Sequence, residues 1–277
     1  MPNLKKVLDN LSILIIYALV FLLPVIFTPL TTEYYESAKF FLLAGAVLIL
    51  LLFWGVRILL EGRLELAKTP IDIFLILFLA VAILSTIFSQ TKSVALFGLV
   101  PKMHGGLFYI TSLILFYFLI IFNIKSPKQL SRIPNLMVAS GAVLAIFSLM
   151  TYFKVQTNIP LIGSLQSSSI YLAMILPFSL KLLTNPAPLG VLVNLLFAIT
   201  LVLTGSSASW IAAGFASFLT LLPYRKDVRK IAPALIVILV ASLILAVLTY
   251  SPALKVKTIL GNLSSSISEA QLPFIIS

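Results

Sequence analysis

The chain has 277 residues, of which 61% are hydrophobic and 10% charged, and its formal net charge is +11. Soluble domains carry about 45–50% apolar and about 25% charged residues, so lipid has to cover the excess here. With no cysteine and one histidine, disulfides, thiolate nucleophiles and clustered cysteine or histidine metal sites are excluded.

A helix that crosses hydrocarbon needs about 20 mostly apolar residues. Nine runs meet that need, at 11–30, 38–60, 70–89, 106–123, 135–153, 167–184, 188–204, 206–222 and 231–250. They predict an all-α, polytopic membrane bundle over residues 1–250. The first run follows Lys5 and Lys6, as a signal peptide would. It is too long for one, and "FTPLTTEYY" has no small-residue cleavage site, so it is expected to stay as a span. The seventh and eighth runs are joined only by "LTGSSASW" (203–210) and read as a helical hairpin.

Lys and Arg gather on the cytoplasmic side of multi-span proteins. With the N-terminus inside, 13 of the 19 basic residues fall on the cytoplasmic side, every Arg among them, and 6 on the far side. The run "PYRKDVRK" (223–230) is the firmest anchor. The positive charge is therefore topological, and no nucleic-acid partner is expected. Residues 251–277 then open an extracytoplasmic loop that stops within an apolar run, as if cut. Arg57, Asp72 and Lys181 fall near cytoplasmic span ends, where they are expected to snorkel to water. No ionisable residue sits near a span centre, which argues against an ion-coupled carrier.

Chemistry is thus left to the outer loops. The first, 31–39, packs Glu33, Glu36, two tyrosines and Lys39 into nine residues. The tyrosines suit an interfacial aromatic belt, and the two glutamates are solvated charges or alternative bases. The second, 89–109, brings Lys92, Lys102 and His104 beside Gly105 and Gly106. Lysines, an imidazole and flexible backbone N–H groups form a set that can hold a phosphate. A solvated flank and a surface histidine are the plainer readings of the same residues. The third, 152–169, supplies Lys154. In the fourth, "LTGSSASW", the small residues either let two helices approach closely or border a site.

Taken in order, these segments resemble the first part of the bacterial O-antigen ligase and polymerase superfamily. The stretch "FTPLTTEYYESAKFFLL" looks like its proline-containing first span, acidic loop and lysine-led second span. "FGLVPKMHGGLFY" is similar to its "FGS-x-x-R-x-x-G-L" stretch. "IGSLQSSSIYLAMILPFSL" is similar to "G-T-x-G-N-P-N-x-L-A…LP", and "LTGSSASWIAAG" to "LTGSRGAWLA".

The resemblance implies an enzyme of the bacterial cytoplasmic membrane with its site facing the periplasm. Such an enzyme moves a glycan from undecaprenyl pyrophosphate to lipid A core or to another glycan, without metal or cofactor. It implies Lys102, with Lys154, Ser207 and Lys92, at the donor site, and His104 as a candidate for proton transfer. Two positions depart from the pattern. Lys102 stands where the family has Arg, keeping the charge but losing the bidentate fork. Ser207 stands where "TGSR" has its Arg, so that charge is gone. The family's long periplasmic loop, with its His and a further Arg, would follow the ninth span, so these 277 residues alone are expected not to catalyse transfer. A polyprenyl-lipid or glycolipid transporter, and a non-catalytic scaffold of an envelope polysaccharide pathway, remain open as alternatives.

Overall fold

The computed structural model describes residues 2–26, 36–62, 69–99, 103–153, 164–184, 188–204 and 207–221, with 236 and 240 as isolated positions. All regular structure among them is helical. In chain order the helices are α1 (Pro2–Val25), α2 (Glu36–Glu61), α3 (Asp72–Ile87), α4 (Lys92–Phe97) and α5 (Leu107–Asn123). Then come α6 (Pro127–Tyr152), α7 (Leu165–Leu180), α8 (Pro188–Thr204) and α9 (Ser207–Leu221). A 3-10 turn, Lys181–Thr184, extends α7. The segments Leu4–Val25, Glu36–Leu60 and Pro127–Tyr152 are long and apolar enough to cross a membrane, and five shorter helices are also apolar. The expected ninth span (231–250) and the segment 251–277 lie outside the described residues.

The chain divides into two compact units. One comprises Met1–Thr151 and Val155–Ser164, the other Tyr152–Lys154 and Leu165–Ser277.

In the first unit, α1, α2 and α5 meet around Ile16, Leu19, Leu43, Val47, Leu50 and Leu119. The spacings 16/19 and 43/47/50 put each helix's contribution on one face. Trp54 of α2 stacks on Phe122 of α5 at 5.6 Å between ring centroids. Lipid tails are as apolar as these side chains, so within a bilayer the seam is held by close packing and polar contacts. The Tyr17 hydroxyl donates to the Gln129 carbonyl at 3.0 Å, tying α1 to α6. The peripheral α3 packs on α4 and α5 and buries none of its residues. Its apolar side chains, such as Phe74, Phe78 and Leu84, are more than half exposed, as lipid contact requires and water would penalise.

In the second unit, α8 and α9 each pack along α7 and touch one another sparingly. The Ser179 hydroxyl donates to Asn194 Oδ1 at 2.7 Å. Asn194 Nδ2 donates to the carbonyls of Ser179 (3.1 Å) and Gly190 (2.8 Å). This fully buried amide spends both donor hydrogens within the α7–α8 seam. Ser169 of α7 and Ser209 of α9 share a hydrogen bond of 2.9 Å. At "LTGSSASW" α9 follows α8 after two residues, as expected of a hairpin, and the small residue Ser209 serves a contact with α7.

Helix boundaries differ from the apolar runs for identifiable reasons. Helix α1 reaches back to Pro2 through Lys5, Lys6 and Asp9, since hydropathy marks the lipid boundary and not the helix end. Helix α6 begins at Pro127, eight residues before its apolar run. Ser126 and Gln129 form a capping box: the Gln129 N–H donates to Ser126 Oγ and the Ser126 N–H to Gln129 Oε1, each at 3.2 Å. Pro127 suits the first helical position, where an N–H has no intrahelical partner. Helix α4 lies in a stretch expected to be loop.

A Cβ on Gly190 would lie 2.6 Å from the Leu182 carbonyl oxygen, whereas one on Gly45 would meet nothing within 4 Å. Gly190→Ala should therefore lower the thermal unfolding midpoint in detergent. Gly45→Ala, in the middle of α2, should raise stability by about 0.5–1 kcal/mol through helix propensity. Equal effects of the two changes would contradict the close approach at Gly190.

Candidate functional site

Helices α2 and α5 begin at the same end of the first unit, and a loop leads into α5 there. Its described residues, 98–99 and 103–106, are held by backbone contacts. Gly98 has φ +83, Met103 φ +53 and Gly105 φ +79, conformations in which a side chain costs about 1 kcal/mol or more. A Cβ on Gly98 would lie 2.5 Å from the His104 carbonyl oxygen. One on Gly106 would meet the Gly98 nitrogen and lie 2.6 Å from the Leu96 carbonyl oxygen. The segments around 96–98 and 103–106 therefore cross backbone to backbone, and two glycines allow it. Two further bonds close the turn, Gly98 N–H to Val94 O and Met103 N–H to Leu99 O, both 2.8 Å. Phe97 and Phe108 pack at 5.0 Å beside it. The flexible glycine pair expected here is in fact a locked crossing at Gly106.

This loop presents His104 to Glu36, the first residue of α2. Nδ1 of His104 lies 3.1 Å from Glu36 Oε2, with the side chains 53% and 41% exposed. Glu36 Oε2 is itself shielded and makes no well-aligned hydrogen bond, so the contact is a close approach of carboxylate and imidazole that becomes an ion pair when the imidazole is protonated. Its place in the first turn of α2 also favours the helix dipole. The Glu36 carboxylate acts electrostatically on Lys39, one turn along α2, and on the Tyr109 hydroxyl of α5. Phe40 and Tyr109 bring the two helices together at 6.3 Å. The result is a half-exposed acid–imidazole pair flanked by an ammonium and a phenol. Such a group can bind an anion at the lysine and pass a proton at the imidazole.

The remaining sequence candidates fall elsewhere. Lys92 opens α4 and lines a separate apolar depression with Ile83, Thr86, Ile87, Leu96 and Leu107. Lys102, Lys154 and Glu33 lie outside the described residues. Ser207 begins α9, in the second unit, and its side chain is likewise outside the description. Among the described residues, no group of three or more His, Asp or Glu could hold a metal ion.

Two polar groups at the other end of the first unit were not singled out as sites in the sequence. Arg57 Nη1 donates to Asp9 Oδ1 at 2.8 Å and to Asn123 Oδ1 at 3.2 Å. Asn123 Nδ2 donates to the Leu119 carbonyl at 2.7 Å. The expected snorkelling of Arg57 is corrected: its side chain is 11% exposed and turned inward, because partners on α1 and α5 replace water. Asp72 accepts from the Thr69 N–H at 2.7 Å and from the Thr69 hydroxyl. That hydroxyl lies 2.7 Å from the Tyr117 hydroxyl. The spacing T-x-x-D is a helix-start signal legible in "TPID". The Asp9–Arg57–Asn123 cluster has no local signal, since its members are 48 and 66 positions apart.

Comparison of the chain with protein-family models, curated proteins and solved structures finds no match in any of the three.

Removing one partner of a buried ion pair costs about 3–5 kcal/mol. Asp9 is 30% exposed, so Asp9→Ala should cost about 2 kcal/mol after screening. The double change Asp9→Ala with Arg57→Met should recover most of that loss, because no uncompensated charge is left. Unfolding in detergent measures both; additive losses would show that the pair is not coupled.

Proposed function

We propose that the chain is the membrane-embedded N-terminal part of an O-antigen ligase-like glycosyltransferase. In this reading it lies in the bacterial cytoplasmic membrane with nine spans and its N-terminus inside. The end carrying His104 and Glu36 then faces the periplasm. The observation that carries the proposal is the meeting of those two residues. They come from two separate stretches on which the family resemblance rests, "FTPLTTEYYESAKFFLL" and "FGLVPKMHGGLFY", and stand 3.1 Å apart. The order of the motifs and the distribution of basic residues support the same reading.

The chemistry follows from the groups available. An acceptor hydroxyl oxygen attacks the anomeric carbon of the carrier-linked glycan, and the bond from that carbon to the pyrophosphate oxygen breaks. The undecaprenyl pyrophosphate leaves with the bonding electrons. His104 has Nδ1 turned to Glu36, so Nε2 is the nitrogen that takes the hydroxyl proton. Glu36 stabilises the imidazolium so formed. The charge growing on the pyrophosphate needs fixed cations, and Lys102 with Lys154 fills that role. Lys39, held beside Glu36, is a third cation within the same group.

The test uses the native protein in its own cells, with glycan transfer and carrier binding read separately. His104→Ala should lower transfer on the order of 10²–10⁴-fold, the usual worth of a positioned base, while leaving carrier binding intact. Lys102→Ala should weaken both. Transfer unchanged in both variants would overturn the reading. Carrier movement across the membrane without any transfer would point to a transporter instead.

A further inference from the structure

The depression between α3, α4 and α5 stands apart from the His104–Glu36 pair, since none of Glu36, Lys39 or His104 lines it. It holds about 250 Å³, below the roughly 300–1,000 Å³ of pockets that enclose compact ligands. Ile83, Ile87, Leu96 and Leu107 give it an apolar floor. The Thr86 hydroxyl is already spent on the Ala82 carbonyl at 2.8 Å, so it offers no donor to an occupant. Among the described residues the one charged group at the depression is Lys92, which is exposed and has no acidic partner among them. The neighbouring face of α3 continues the apolar surface outward through Leu84 and Phe88.

An open apolar slot with one unpaired ammonium at its edge matches an amphiphile with a single anionic head. We propose that this slot is a binding site for an anionic phospholipid, with one acyl chain laid between α3, α4 and α5 and the phosphate at Lys92. A polar solute finds no hydrogen-bond partners on the floor. A zwitterionic lipid brings its own ammonium with its phosphate, so its head group has no net negative charge to offset Lys92. The site depends on neither the transfer chemistry nor the orientation of the chain.

The experiment reconstitutes the full chain in vesicles of phosphatidylcholine with a minor share of phosphatidylglycerol, then extracts it and counts retained lipids by native mass spectrometry. The wild type should keep phosphatidylglycerol in preference to phosphatidylcholine. Lys92→Gln should reduce that preference about fivefold, the worth of one basic residue at an anionic lipid surface. Leu96→Trp should fill the slot and lower retention of both lipids with Lys92 in place. Ile83→Trp, at another lining position that is itself exposed, serves the same purpose if Leu96→Trp does not fold. Equal retention of the two lipids by the wild type, or an unchanged preference in Lys92→Gln, would overturn the proposal. So would displacement of the lipid by inorganic phosphate, which would mark a plain anion site.

Discussion

An arginine held inside a helix bundle has to be met by the protein, because the surroundings offer neither water nor counter-ion. Arg57 is met from two sides, by Asp9 of α1 and Asn123 of α5. That requirement fixes three helices at one end: α1 runs against α2, α5 runs with it, and their register is set where the guanidinium reaches both partners. The apolar seam of Ile16, Leu43, Leu50 and Leu119 follows from this alignment. In lipid such a seam has little hydrophobic drive of its own. A polar contact worth even about 1 kcal/mol therefore weighs heavily in choosing among possible packings.

The same alignment has its consequence at the opposite end. With α2 and α5 parallel, their first turns come together, and Glu36 and Tyr109 are neighbours before any loop is considered. The crossing of Gly98 and Gly106 then sets where the loop can carry His104. A side chain at either glycine would push the backbones apart and move the imidazole away from Glu36. The second unit relies on the same kind of device. There Asn194, Ser179 and the Ser169–Ser209 pair pin α8 and α9 to α7. Other buried hydroxyls, such as Ser148 and Thr200, bond within their own helices, so the interhelical contacts are the polar ones that help settle which helices are neighbours.

Much of the helical architecture is legible in the sequence, because apolar runs of the right length have few other outcomes. Helices α2, α5 and α8 fall close to their runs. The ends are less legible: hydropathy reports where lipid begins, while caps such as Ser126 with Gln129 report where the helix begins. The short α4 escapes because six residues, "KSVALF", carry too little pattern. Pairings between distant residues are the part that sequence conceals. Nothing local says that Asp9 meets Arg57, or that Ser209 of α9 pairs with Ser169 of α7. At the candidate site, the chemical types were readable in "EYYESAK" and "KMHGG", whereas the meeting of Glu36 with His104 depends on the parallel placement of α2 and α5.

In the proposed orientation the Asp9–Arg57–Asn123 cluster and the His104 loop lie at opposite faces of a membrane, with the loop outside. The chain has no cysteine, so a single introduced thiol reports its own position. Leu99→Cys, at the exposed start of the loop, and Asn10→Cys, beside Asp9, would each be treated with a membrane-impermeant maleimide in spheroplasts. The account predicts that Leu99→Cys is labelled in sealed spheroplasts and Asn10→Cys only after permeabilisation. Labelling of both from the same side, or the reverse pattern, would contradict it.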